Sequence, residues 1–197
     1  MFFFILYNSG AGGDMVSAVI DSTDYETSEI DVHPTLGSLR HLLKLRLIKH
    51  LKNYNDSRDL FFDGNTKTLF LKELEQKYLS ISTSHDISFL RYHANMLNLQ
   101  TIVIDDTDDE YNKWGMNRCY TIFPKYHPPL NEEELIRRNK RINLAKTYNN
   151  SKVIPLKDIL EGRLITKLQE FIDTPLNTEI YNYWLSTILP KTPFISK

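Results

Sequence analysis

The amino-acid sequence predicts an α/β protein: a parallel sheet flanked by helices, three layers in all, built as a single domain over residues 1–197. Three observations carry this expectation. The runs Phe2–Tyr7 and Thr101–Ile104 are short, continuous and rich in aromatic or β-branched residues, as strands buried on both faces are. Segments with helical spacing separate the strand-like runs, the alternation that produces parallel strands. Polar or glycine-rich residues follow those runs, at the strand ends beyond which open α/β sheets bind ligands.

Composition narrows the classes. The chain is 41% hydrophobic and 25% charged, ordinary for a globular protein with a real core. A net charge of −1 gives no specific nucleic-acid signal and no pull towards an anionic membrane. The single cysteine, Cys119, excludes an internal disulfide framework and a cysteine-based zinc cluster, which fits a reducing, cytoplasmic setting. The opening apolar run is too short for a membrane span and has no basic residue before it, so no signal peptide is read. The histidines form no HExxH and no close pair, so no metal is expected, and no serine has a GxSxG setting.

The elements follow in order. Phe2–Tyr7 is a strand, Asn8–Gly13 a glycine-rich turn and Asp14–Ile20 a helix. Gly10, Gly12 and Gly13 let backbone N–H groups turn inward around an anion, and the helix start adds its positive end. Alternatively, they simply make a tight strand–helix connection. Asp21–Pro34 is an acidic loop, and Leu36–Leu51 and Thr68–Leu79 are amphipathic helices. Leu79–His85 alternates as a second strand, with Asp86 capping a helix over Ile87–Leu97. Gln100–Asp106 is the clearest interior strand, Asp108–Cys119 a helix and Tyr120–Pro129 loop or short strand. Asn131 caps a helix with Glu132, Glu133 and Glu134 first and Arg137, Arg138, Lys140, Arg141 and Lys146 later, as the helix dipole prefers. Lys152–Leu156 is a fourth strand, and Asp158–Leu160, Arg163–Ile172 and Asn177–Leu189 are closing helices. Ile180, Tyr181, Trp184, Leu185 and Ile188 make one apolar stripe on the last.

Three strand ends offer chemistry: the Ser9–Asp14 turn, His85, and Asp105 with Asp106. His85 suits a general base or a phosphate contact, or is a satisfied structural group. The two aspartates either hold Mg²⁺ or belong to a polar loop with helix-start acids, and the second reading is preferred. Arg137–Arg141 can grip phosphate but reads first as a solvated helix face, and Trp114 and Trp184 read as packing residues.

The order of these segments resembles the sulfotransferase-like branch of P-loop proteins, including short forms from phages and environmental genomes. Phe4–Gly13 is similar to the loop around the 5′-phosphosulfate, Ile81–His85 to the strand ending in a histidine, and Thr101–Asp106 to the next core strand. Lys152–Gly162, Leu168–Ile172 and Ile180–Leu185 resemble the closing strand and terminal helices. The resemblance implies a P-loop NTPase-like fold and transfer of a sulfuryl or phosphoryl group from a nucleotide donor, PAPS with PAP as product, to an acceptor the sequence does not specify. It implies that Ser9, Gly10, Ala11, Gly12, Gly13 and Asp14 hold the donor and that His85 is catalytic. This turn has no lysine where the family has one, which leaves Arg118 or the Arg137–Arg141 cluster to supply charge. After the third strand, where the family has an arginine and a serine, stand Asp105-Asp106 and then Asn112 or Trp114. The alternative expectation is a non-catalytic viral structural or host-interaction protein that kept the fold, with a protein partner or an oligomer in place of the nucleotide.

Overall fold

The structure, a computed structural model, describes residues 3–21, 80–83, 100–122, 124–125, 129–148 and 150–191. Among them, four strands form one parallel sheet: β1 (Phe3–Leu6), β2 (Ser80–Thr83), β3 (Gln100–Asp105) and β4 (Ser151–Pro155), in spatial order β2-β1-β3-β4. The apolar opening run is thus an interior strand, with Ile5 opposite Ser82 on one side and Ile102 on the other. Helices α1 (Gly13–Asp21), α2 (Asp109–Ile122), α3 (Glu132–Lys146), α4 (Leu156–Leu160), α5 (Leu164–Gln169) and α6 (Thr178–Tyr183) complete the described framework.

Strand alternation sends successive side chains to opposite faces. Phe3, Ile5 and Tyr7 join Ile102, Ile104 and Ile154 in a core closed by Met15, Val16 and Val19 of α1 and by Leu156, Leu164, Ile180 and Trp184. Phe4, Leu6 and Val103 face the other way and are also buried. On that side α3 packs on β3 and β4 and buries Ile142 and Ala145. Burying a large aliphatic or aromatic side chain contributes roughly 1.5–3 kcal/mol, so both faces of this small sheet carry weight.

The helix ends follow their caps. Asn131 Oδ1 accepts from Glu134 N at 2.8 Å, and Asn177 Oδ1 accepts from Ile180 N at 3.1 Å. Several boundaries differ from expectation, and Leu156 opens α4 where it was expected to end the fourth strand. Helix α2 runs past Cys119 to Ile122 and stops just before Pro124, which disfavours helical backbone in the residue before it. The segment Arg163–Ile172 is helical only over Leu164–Gln169. The expected single helix Asn177–Leu189 changes pitch, from α6 to a π turn at Trp184–Ile188 and a 3₁₀ turn at Leu189–Lys191. Pro190 has no N–H for the carbonyl of Ser186, so the regular ladder cannot continue there. The Asp21–Pro34 loop, the Leu36–Leu51 and Thr68–Leu79 helices, His85 and the Ile87–Leu97 helix lie outside the described residues. Among the described residues, no helix is long and apolar enough to cross a membrane.

Candidate functional site

The chain leaves β1 for one side of the sheet and leaves β3 for the other, so the connections after these two neighbours diverge. Their carboxyl ends bound the crevice in which open α/β sheets bind ligands. The glycine turn lies there. It is closed by Ala11 N donating to Asn8 O at 3.0 Å, and Val16 N then donates to Gly12 O at 3.1 Å. Asn8, Ala11 and Gly13 are buried, whereas Ser9, Gly10, Gly12 and Asp14 are half-buried. Gly10 has φ +92°, and a Cβ there would fall 2.1 Å from the carbonyl oxygen of Gly115. Backbone of the turn and backbone of α2 therefore meet directly, at a position only glycine fits.

Two arginines use that close approach, both donating to carbonyls of the turn. Arg138, from α3, donates through Nη1 to Ser9 O at 2.9 Å, through Nη2 to Asp106 Oδ2 at 2.9 Å and through Nε to Asn112 Oδ1 at 2.6 Å. Asn8 Nδ2 completes the knot, donating to Asp106 Oδ1 at 2.8 Å and to Arg138 O at 3.3 Å. Asp106 and Asn8 are fully buried and Arg138 nearly so. Burial pushes the Asp106 carboxyl upwards, opposed by the charge of Arg138 and the bond from Asn8. A cation three ångströms away, with its own hydrogen bonds made, is the arrangement that retains a buried ion pair.

Arg118, from α2, is held differently. Its Nη1 donates to Gly10 O at 2.7 Å, while its Nε is buried with no partner. Its guanidinium carbon lies 5.6 Å from the ring centroid of Trp114 and 5.6 Å from that of Trp184. Trp114, Gly115, Arg118 and Cys119 share one face of α2 through helical spacing, and that face meets the turn. The π turn delivers Trp184, whose ring also contacts the position of a Gly12 Cβ at 3.4 Å. Burial lowers the Arg118 pKa, and the charge of Asp14 is among the influences opposing it. Burial pushes the neighbouring Cys119 thiol up to about 11.

The carboxylates ending β3 part company. Asp105 pairs with Lys146 Nζ at 2.6 Å and accepts from Thr107 Oγ1 at 2.6 Å, at the rim, while Asp106 turns inward to Arg138. Asp108 accepts from Glu110 N at 3.0 Å, as a helix-start acid does. Each aspartate of the pair is met by a protein cation. The Arg137–Arg141 run is not one solvated face. Arg137 is exposed and paired with Glu134, but Arg138 points inward to the buried Asp106. Three residues apart from a helix-start acid, Arg137 stays on the outer face, and the one-residue step to Arg138 rotates the side chain to the sheet.

Of the residues expected to form the site, Ser9 to Asp14 come together in the turn, and His85 lies outside the described residues. Asn8 and Arg138 are named from sequence only within longer segments, Asn112 only as a departure from the family pattern, and Gly115 not at all. A glycine inside a helix costs about 1 kcal/mol against alanine, so Gly115 did signal a close backbone contact. Compared with family models, curated proteins and solved structures, the chain matches none, and the site is read from its own geometry.

Proposed function

We propose that this chain is a sulfotransferase-like P-loop protein that transfers a sulfuryl or phosphoryl group from a nucleotide donor to an acceptor. The observation that carries the reading is the placement of a glycine turn after an interior parallel strand, at the crevice where the strand connections diverge. The Ala11 amide closes the turn on Asn8 O, and the other amides from Gly10 to Asp14 hold the anionic end of the donor, with the dipole of α1 added. The residues present fit an anion through Arg118, whose buried Nε has no partner among the described residues beside the turn, whereas the Cβ positions of Gly10 and Gly12 are taken up by Gly115 and Trp184. PAPS supplies an activated sulfuryl group when bound; this chain's part is to neutralise the charge that develops and to exclude water. His85 takes the acceptor proton. A cytoplasmic location, the host's cytoplasm for a viral chain, accords with the lone buried cysteine.

A second reading is favoured by one observation. Asn8, Asp106, Arg138 and Asn112 bond to one another in the same crevice, which suits a non-catalytic scaffold that kept the fold for a protein partner. Calorimetric titration with PAP, PAPS, ATP and GTP separates the two. Saturable heat with PAP or PAPS is expected. No heat with any of them, together with a stable oligomer by light scattering, contradicts the transferase reading.

A further inference from the structure

We propose that Arg118, reaching the glycine turn from α2, is the cation that meets a tetrahedral oxyanion bound at the Gly10–Asp14 amides, in place of the lysine the turn lacks. The inference rests on the anion-binding reading of that turn and names the side chain that makes it work.

Arg118 is a buried charge with no counterion among the described residues. Arg118 is 8% exposed and makes a single hydrogen bond, to Gly10 O, leaving Nε buried without a partner. Among the described residues no carboxylate pairs with it. Asp14, the first acid of α1, acts on it only through space. A guanidinium is costly to bury unless its charge and donors are met. The indoles of Trp114 and Trp184 meet the charge in part. They leave the Nε–H unsatisfied, because an aromatic face offers no acceptor atom.

Two other cations among the described residues reach the crevice, and both are already bonded there. Arg138 commits Nε, Nη1 and Nη2 to Asn112, Ser9 and Asp106. Lys146 is committed to Asp105 and Thr107. Arg118 alone among these three combines a place at the turn with free donors, and its planar fork matches two oxygens of a phosphate or sulfate. The carbonyl of Gly10 holds one end of the fork, and the two indoles prevent it from folding away. The guanidinium is therefore set in position before an anion arrives.

Trp114 and Trp184, the chain's two tryptophans, both flank Arg118, so intrinsic fluorescence reports on this side chain. The full chain is titrated with inorganic pyrophosphate and, separately, with sulfate. A saturable fluorescence change is expected with at least one of them. Arg118→Met should weaken that binding by about tenfold to a hundredfold, the range for a lost charge-assisted hydrogen bond, and Arg118→Lys should fall between. Unchanged affinity in Arg118→Met overturns the inference while leaving the turn as an anion site. No response of the unmodified chain to either anion overturns both. Should Arg118→Met fail to fold, the Arg118 Nε–H resonance of the unmodified protein decides: it shifts on saturation with the bound anion, and a static resonance overturns the assignment.

Discussion

Arg138 and Arg118 grip adjacent carbonyls of one turn, yet they rest on opposite physics. Arg138 has a carboxylate, a carbonyl and a side-chain amide oxygen for its three nitrogens. Arg118 has one carbonyl and two aromatic faces. The first side of the turn is a finished ionic knot whose product is rigidity. The second is a charge installed in a fixed place with donors left over. For bracing the glycine turn alone, the second side supplies one hydrogen bond and its aromatic contacts.

This contrast is broken most sharply at Arg138. Arg138→Met strands Asp106 in a fully buried site, and removing one partner of such a pair costs about 3–5 kcal/mol. Arg118→Met leaves no buried carboxylate behind and should cost about 1–2 kcal/mol, the sum of one hydrogen bond and partial cation–π loss. Urea unfolding of the two variants checks the ranking, and equal losses would erase the distinction between the two sides. Adding Asp106→Leu to Arg138→Met should recover part of the loss, since the stranded charge goes with it.

The next effect tests the backbone contact that both arginines depend on. Gly10→Ala places a methyl 2.1 Å from Gly115 O at a φ of +92°. Left-handed strain and overpacking together predict about 2–4 kcal/mol of destabilisation. A thermal midpoint within a degree of the parent would show that turn and helix do not touch as described.

Much of this was legible in the residues. The continuous apolar runs of Phe3–Leu6 and Thr101–Ile104 and the caps at Asn131 and Asn177 are local signals, and the structure follows them. The pairing of Asn8 with Asp106, 98 positions apart, and of Arg138 with Asp106 arises from sheet order, which no local pattern encodes. Arg138 is hidden for a further reason: it sits in a run of basic residues beside the exposed Arg137 and Lys140. The pitch change after Tyr183 escaped notice because the apolar stripe continues through it; Pro190 was the available clue.

The smallest effect is at the rim, where Asp105 contrasts with its buried neighbour. Burial alone would raise the Asp105 carboxyl, but its bonds from Lys146 and Thr107 outweigh that and hold it below its ordinary 3.8. A depressed folded pKa contributes stability above the unfolded value that is lost as pH falls through the folded one. Asp105→Asn should therefore cost up to about 1 kcal/mol at pH 7 and make stability fall less steeply on acidification below 3.8. Parallel pH profiles for the two proteins would contradict the assignment.

A crystal of the full chain grown with selenate, a heavy stand-in for sulfate and phosphate, tests what the glycine turn binds. An anomalous peak is expected beside the Gly10–Asp14 amides, within hydrogen-bond reach of the Arg118 guanidinium. A turn without selenate at saturating concentration, with Arg118 directed wholly at protein atoms, would contradict this expectation.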